Sequence, residues 1–406
     1  MKKIVAVLLI FLWPLAQGNI AFEMVHTSGH PIRVAMPKFE SQELDNMISE
    51  MVHNVVKEDL KRSGYVQVVD GATDITIKGV LTSTPKGFDL SVQLDDQEQL
   101  NVEQVKRVFH FDQIQYRDVG HQVSDFIYQQ MTGYRGIFST KIAYIHKLMV
   151  DQVMHYRLEV SDADGARVQI LVDSQEPIMT PRWSPDGTAI MYVSFEREKA
   201  AIFIQNLITG KRDLIADFPG INNAPTWHPS GQKVAFTLTI DGSPNIYEMD
   251  LKTRKLTALT HGWSINTEPY YTSNGQKLYF TSNRSGSPQI YTLDFKSNEV
   301  KRLTFNGRYN ASPIINQDDV LAMLHHAQSG FSIAVKSQDD MTVLVDSQFE
   351  QTPSFAPNGQ FLVYSTLWQQ KSILGVVSVD GNIHMRLLPD NTTGEIQDPD
   401  WSPWLA

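Results

Sequence analysis

The 406 residues carry 45 Asp and Glu against 35 Lys and Arg, a formal net charge of −10, and so acidic a chain offers no electrostatic basis for nucleic-acid binding. Cysteine is absent, which excludes disulfides, thiolate nucleophiles and cysteine-ligated metals. The chain is too long for one compact domain of ordinary size.

The start reads as a secretory signal peptide over residues 1–18. Lys2 and Lys3 give the positive end, and Ile4 to Trp13 form an apolar stretch shorter than the ~20 residues that span a bilayer. Ala16, Gln17 and Gly18 then supply small residues at the cleavage spacing. The mature protein is expected in a bacterial cell envelope without a membrane span. Residues 19–136 predict a small α/β domain. Ile32 to Ala35 reads as a strand, and Leu44, Met47, Ile48, Met51, Val52, Val55, Val56 and Leu60 share one face of a helix closed by Gly64. Strand patterns follow at Tyr65 to Val69, Ile75 to Thr82, Gly87 to Leu94 and Val105 to Phe111. A second helix carries Val119, Val123, Phe126, Ile127 and Met131 and ends at Gly133. Tyr134 to Thr140 contains no Gly/Ser-rich tract and predicts a short, fairly rigid connection.

From residue 137 onward a proline-anchored unit recurs. Pro181, Pro225 and Pro269 are 44 residues apart, and Pro313, Pro353 and Pro399 follow at 44, 40 and 46. An aromatic residue and a Pro-Asp-Gly type turn follow the clearest anchors, as in Pro181-Arg182-Trp183-Ser184-Pro185-Asp186-Gly187. Alternating apolar runs such as Ala189 to Ser194 and Lys277 to Ser282 come next, and after a polar turn second runs such as Gln289 to Asp294. Four short strands in about 40–45 residues describe a propeller blade, so six anchors predict a six-bladed all-β propeller. The last anchor supplies one strand with no blade of its own. Lys141 to His146, His155 to Asp162 and Gln169 to Asp173 look like a blade lacking its first strand, so the C-terminal strand is expected to close the ring.

No catalytic motif is present: there is no Gly-x-Ser-x-Gly, Gly-x-x-x-x-Gly-Lys, His-Glu-x-x-His or Gly-x-Gly-x-x-Gly. His325 and His326 are adjacent in a strand and so point to opposite faces. His26 and His30 flank Gly29 in a loop pattern and read as solvated side chains. Asp162-Ala163-Asp164-Gly165 resembles the opening of a calcium loop, but its twelfth position is Asp173 rather than Glu, and it reads as a hairpin turn. Trp183, Trp227 and Trp401 occupy one repeated position, for which packing between blades is a sufficient account. The segments before the anchors include Asn222, Asn223 and Ala224, then Asn266, Thr267 and Glu268, then Asn310, and finally Thr352. In a propeller they ring one mouth of the channel. Asparagine there either holds a turn or forms a polar ring that reads a partner, and the residues alone leave both open.

The chain resembles the TolB family, periplasmic components of the Tol-Pal system of Gram-negative bacteria. The resemblance rests on Met131-Thr132-Gly133-Tyr134-Arg135-Gly136 running into Ile142-Ala143-Tyr144, on Tyr156 to Asp162, on Ile178 to Gly187 and on Trp401-Ser402-Pro403. It implies a non-enzymatic adaptor supporting outer-membrane integrity and constriction in cell division, with no cofactor or metal. The implied partners are the lipoprotein Pal, the inner-membrane protein TolA and other outer-membrane or peptidoglycan-associated proteins. By position, the Pal-facing residues are Asn222, Asn223, Ala224, Asn266, Thr267, Glu268, Asn310 and Thr352. The implied TolA-binding arm is Asn19, Ile20, Ala21, Phe22, Glu23, Met24 and Val25, an alternating segment suited to adding a strand to a partner's sheet, and hidden when docked on its own protein. Lysine at Thr267 or Glu268 is expected to weaken Pal binding without unfolding the ring, since both are read as loop residues. The rival class is a small-molecule or sugar ligand, or hydrolysis, at the same mouth; the lack of paired acids and His there argues against it. A propeller regulating an attached peptidase fails for want of a hydrolase-sized domain. Two departures from the family pattern stand out: a shortened segment from Asp70 to Ile75, and Ile315 and Asp319 in blade four where other blades have an aromatic residue and a glycine.

Overall fold

The computed structural model describes residues 21–27, 31–71, 73, 75–96, 105–327, 330–338, 340–347, 353–388 and 394–405. The signal peptide, Asn19, Ile20, His30 and Thr352 lie outside the described residues. Among those described, no helix is long and apolar enough to cross a membrane.

The N-terminal domain is a five-stranded mixed sheet backed by two helices. After β1 (Ala21–Thr27), which belongs elsewhere, come β2 (Ile32–Ala35), α1 (Asn46–Arg62), β3 (Val66–Val68), β4 (Ile75–Thr84), β5 (Gly87–Asp96), β6 (Val105–Phe111) and α2 (Tyr116–Thr132). The sheet order is β3-β2-β4-β5-β6, with β2 parallel to both neighbours and the rest antiparallel. Ile48, Val52, Val56 and Leu60 recur every four residues along α1 and are buried with Val123 and Ile127 of α2 against Ile77, Leu90 and Val92. The helices touch at Gly120, where a Cβ would come within 2.6 Å of Val55, so any side chain there would force them apart. Gly133 ends α2 at φ +79°, its N–H donating to the Gln129 carbonyl, a left-handed cap that glycine adopts without a Cβ clash.

Six antiparallel sheets follow in a ring. Blade one comprises Ile178–Trp183, Ala189–Ser194, Ala201–Asn206 and Arg212–Ala216; blade two comprises Asn222–Trp227, Lys233–Leu238, Asn245–Asp250 and Leu256–Ala258. Blade three runs Asn266–Tyr271, Lys277–Ser282, Gln289–Asp294 and Glu299–Arg302; blade four runs Tyr309–Ile315, Leu321–Ala327, Gly330–Ser337 and Asp340–Ser347. Blade five has Ser354–Phe355, Phe361–Trp368, Lys371–Ser378 and Ile383–Leu388. Blade six joins Glu395–Trp401 to Lys141–Val150, Val153–Asp162 and Gln169–Ser174, so the C-terminal strand closes the ring as expected. The second strands are nearly all apolar, Ala189–Ser194 being buried throughout, because neighbouring blades cover both faces. Blade four keeps its turn without glycine: Asp319 adopts φ +59°, where Gly187, Gly231, Gly275 and Gly359 adopt about +70°.

Strand β1 pairs antiparallel with Ile383–Leu388, register Ala21 to Leu388 and Thr27 to Ile383, as a fifth strand on the outer edge of blade five. The described part of the arm is therefore docked on its own protein, and its backbone is already paired. The domains meet through aromatic rings, Tyr65 lying 6.3 Å from Phe361 and 6.0 Å from Tyr128. The connection is stapled: Asn358 Nδ2 donates to the Arg135 carbonyl at 3.1 Å and Trp404 Nε1 to the Gly136 carbonyl at 3.0 Å.

Candidate functional site

The innermost strands line the channel, and each described copy breaks register just before its anchor proline. Thr180, Ala224, Glu268, Ser312 and Asp398 have φ between +49° and +55°, each at the register shift of a first strand. Left-handed backbone at a non-glycine residue costs about 1–3 kcal/mol, so five copies mark a feature held in place by its surroundings. The residue before proline normally favours extended backbone, which is why this ring was not legible in the sequence.

Two cavities occupy the channel. One, of about 100 Å³, is lined by Thr180, Asn223, Ala224, Thr267, Glu268 and Ser312. The other, of about 250 Å³, opens at the far end among Trp183, Trp227, Tyr271, Ile315, Phe355 and Trp401, the repeated position of the six blades. Arg182 and Tyr270 border both and form the waist. The tryptophans act between blades: Trp183 Nε1 donates to the Asp400 carbonyl at 3.2 Å and Trp227 Nε1 to the Arg182 carbonyl at 3.1 Å.

Three acids stand at the channel: Glu268, named at the mouth from the sequence, and Asp398 and Asp400, which the closing C-terminal strand brings to it. The Glu268 carboxylate accepts from Ser312 N and Ser312 Oγ, both at 2.8 Å, and from Thr281 Oγ1 at 2.6 Å, clamping blade three to blade four. Asp398 accepts from Thr180 N at 3.1 Å, and Asp400 accepts from Trp183 N at 2.7 Å and Ser354 Oγ at 3.0 Å. Burial pushes both aspartates above the usual carboxylate range, against the pull of Arg182. These carboxylates are engaged in joining blades.

The predicted mouth residues divide in two. Asn223, Ala224, Thr267 and Glu268 line the first cavity, in strands rather than the loops expected for them. Asn222, Asn266 and Asn310 are 0 % exposed, and their amides are spent internally. Asn222 Nδ2 donates to the Phe218 carbonyl at 2.7 Å, Asn266 Nδ2 to Asn245 Oδ1 at 2.8 Å, and Asn310 Nδ2 to Gln289 Oε1 at 2.9 Å. Alternation explains the division in blades two and three: Asn222 and Asn266 point into the blade and Asn223 and Thr267 toward the channel. His325 and His326 do not converge, the first bonding Asn310 and the second packing on Phe331.

Sequence reading missed the apolar rim. Trp263 is 91 % and Phe305 71 % exposed, and Ile221 and Ile265 are also exposed. All four lie in segments leading into first strands, on the side of Asn223 and Thr267. Blades supply them from different repeats, so no local pattern announces them.

It also missed the ion network between the domains. Asp162 and Asp164 do form a turn, Gly165 N donating to the Asp162 carbonyl at 2.7 Å. Their carboxylates receive Arg62 Nη1 on Asp164 at 3.1 Å, and Lys141 Nζ at 2.8 Å and Arg167 Nε at 2.6 Å on Asp162. His121 Nδ1 lies 2.7 Å from Asp59 Oδ2, and Arg117 Nη2 lies 3.3 Å from His121 Nε2. This fits a neutral ring donating from Nδ1 and accepting at Nε2. Burial lowers the His121 pKa to about 4, with Arg117 and Arg62 adding to the effect and Asp164 and Asp162 opposing it. Burial alone would raise Asp164, but Arg62, His121 and Arg117 hold it well below the usual range. Asp59, His121 and Asp164 offer ligand atoms within 4.8 Å of one another, yet Arg62 bonds both carboxylates and supplies the positive charge there.

Comparison with known proteins bears on this ring and its front domain. Residues 128–405 match the family model described as the TolB beta propeller domain. The Tol-Pal system protein TolB of Legionella pneumophila subsp. pneumophila (strain Philadelphia 1) is 48% identical, covering 95% of this chain and 96% of its own length. The chain belongs to the TolB family. A second family member, the Tol-Pal system protein TolB of Hydrogenovibrio crunogenus, is 44% identical over 100% of both chains. The crystal structure of TolB from Acinetobacter baumannii superposes with a TM-score of 0.86 at 33% identity, covering 95% of this chain and 100% of that one.

Proposed function

We propose that this chain is a non-enzymatic periplasmic adaptor of the Tol-Pal system, which binds Pal at the propeller mouth and TolA through the arm Asn19 to Val25. The observation that carries the reading is an exposed apolar rim, Trp263 and Phe305 foremost, around a small polar pit. Large exposed apolar side chains on the side of a polar centre suit a folded partner better than a small ligand. Asn223, Ala224, Thr267 and Glu268 contact Pal in this reading, and Thr352, outside the described residues, is the further candidate. Asn222, Asn266 and Asn310 hold the strands beneath. Family membership supports the Tol-Pal assignment, and among the described residues Glu268, Asp398 and Asp400 of the channel are engaged in bonds between blades. The arm binds TolA by strand addition after leaving blade five, a two-state exchange that Pal occupancy biases. The adaptor thereby couples Pal capture and release to the inner-membrane machinery, supporting outer-membrane integrity and constriction.

Thr267→Lys is the cleaner probe, because Glu268 also clamps two blades and its loss would weaken the ring. Calorimetric titration with the soluble domain of Pal should show tight 1:1 binding, weakened about tenfold or more by Thr267→Lys at an unchanged melting temperature. Equal affinity would remove Thr267 from the contact, and no binding by the unaltered chain would sink the adaptor reading.

A further inference from the structure

A cavity larger than either in the channel lies away from it, in a cleft of about 540 Å³ between the domains, bordered by α2, β6, the connection and the C-terminal tail. That volume is within the range of built ligand sites, ~300–1,000 Å³. Gln115, which precedes α2, and Asp118, Gln122, Asp125 and Gln129 on one face of it all line the cleft, spaced three and four apart. The face is roughly 21 Å long, enough for about six residues of extended chain.

The acids of the cleft are already engaged. Asp118 pairs with Arg167, Asp162 with Lys141 and Arg167, and Asp125 accepts from Phe138 N at 2.7 Å and from Ser139. Two arginines are not so engaged. Arg107 stacks 5.1 Å from the Phe109 ring centroid and 5.5 Å from that of Phe126, and Arg135 stacks 4.4 Å from the Trp404 ring. Neither meets a carboxylate among the described residues. Stacking fixes the guanidinium plane and leaves its N–H fork free for a carboxylate. Gln122 and Gln129 are exposed, with amides that have no internal partner among the described residues. The free valence of this concavity is thus guanidinium and amide, on a protein whose net charge is −10.

We propose that the interdomain cleft binds an extended acidic peptide segment of a partner chain, its carboxylates on Arg107 and Arg135 and its backbone on the Gln122 and Gln129 amides. An extended strand uses the amide ladder along its whole length, which a single small anion does not.

The test is fluorescence anisotropy of labelled hexaglutamate against the full protein at low ionic strength. Saturable 1:1 binding is expected, weakened about tenfold or more by Arg107→Gln combined with Arg135→Gln and measurably by Gln122→Glu alone. Lys301→Gln, an exposed change on blade three, should leave it unchanged. These substitutions are at exposed positions, and Gln122→Glu tests the site even if the double variant fails to fold. The proposal is overturned if hexaglutamate does not bind, if the arginine and Gln122→Glu variants bind like the unaltered protein, or if inorganic phosphate displaces the peptide as well as free hexaglutamate does.

Discussion

Deleting residues 399–406 is expected to lower the melting temperature by about 10 °C or more and to broaden unfolding. The deleted segment closes the ring by bonds that nothing else can make. Trp401, 6 % exposed, packs in the core shared by blades five and six, and its Nε1 donates to Thr140 Oγ1 at 2.7 Å. Ser402 N donates to the Lys141 carbonyl at 2.8 Å, and Lys141 N donates to Ser402 Oγ at 2.9 Å. Asp400 holds Trp183 N of blade one. Loss of a buried tryptophan costs about 3–5 kcal/mol and each stranded buried polar group about 1–3 kcal/mol. For a domain of this size each kcal/mol moves the midpoint by about 2–4 °C. The edge freed at Lys141 to Tyr144 also invites aggregation. Calorimetric melting of the truncated chain checks this, and an unchanged midpoint would show that the ring does not depend on its closing strand.

Acidification should loosen the contact between the domains through His121. The unfolded ring titrates near 6.5 and the folded one near 4. Between those values the unfolded chain binds a proton that the folded chain does not, so stability is full above about pH 6.5 and falls as pH drops toward 4. The full shift corresponds to about 3 kcal/mol, or about 5–10 °C. Other groups titrate differently: Asp164, held below its ordinary value of 3.8, contributes stability that is lost only at more acidic pH, whereas Asp125, Asp398 and Asp400, all raised, act with the opposite sign. The His121 contribution is therefore read as a difference against His121→Asn, which keeps a donor toward Asp59 but cannot charge. Its melting temperature should fall less than that of the unaltered chain between pH 7 and 4; parallel curves would show that His121 does not carry the effect.

What the sequence disclosed and withheld follows from the range of the interactions. Helices α1 and α2 are local periodicities ended by glycine, and β6 was bounded residue for residue because its flanks change composition sharply. The ring was legible because six anchors repeat, and its closure because Lys141 to Asp173 lacks a first strand. The network of Asp59, His121 and Asp164 was not, since Arg62 and Asp164 are 102 residues apart and meet only when the domains dock. The repeated Asn was visible, but its direction was not: whether Asn266 or Thr267 faces the channel depends on the register shift at Glu268. The arm was recognised as a strand, yet its pairing with Ile383–Leu388 joins the two ends of the chain and leaves no local mark.

The central claim is that mouth and arm belong to one adaptor. Its most direct test is calorimetric titration of the protein with the soluble domain of Pal, before and after removal of residues 19–25. The account predicts tight 1:1 binding whose affinity changes when the arm is removed. An absence of binding would contradict the adaptor, and identical binding with and without the arm would contradict the coupling between its two ends.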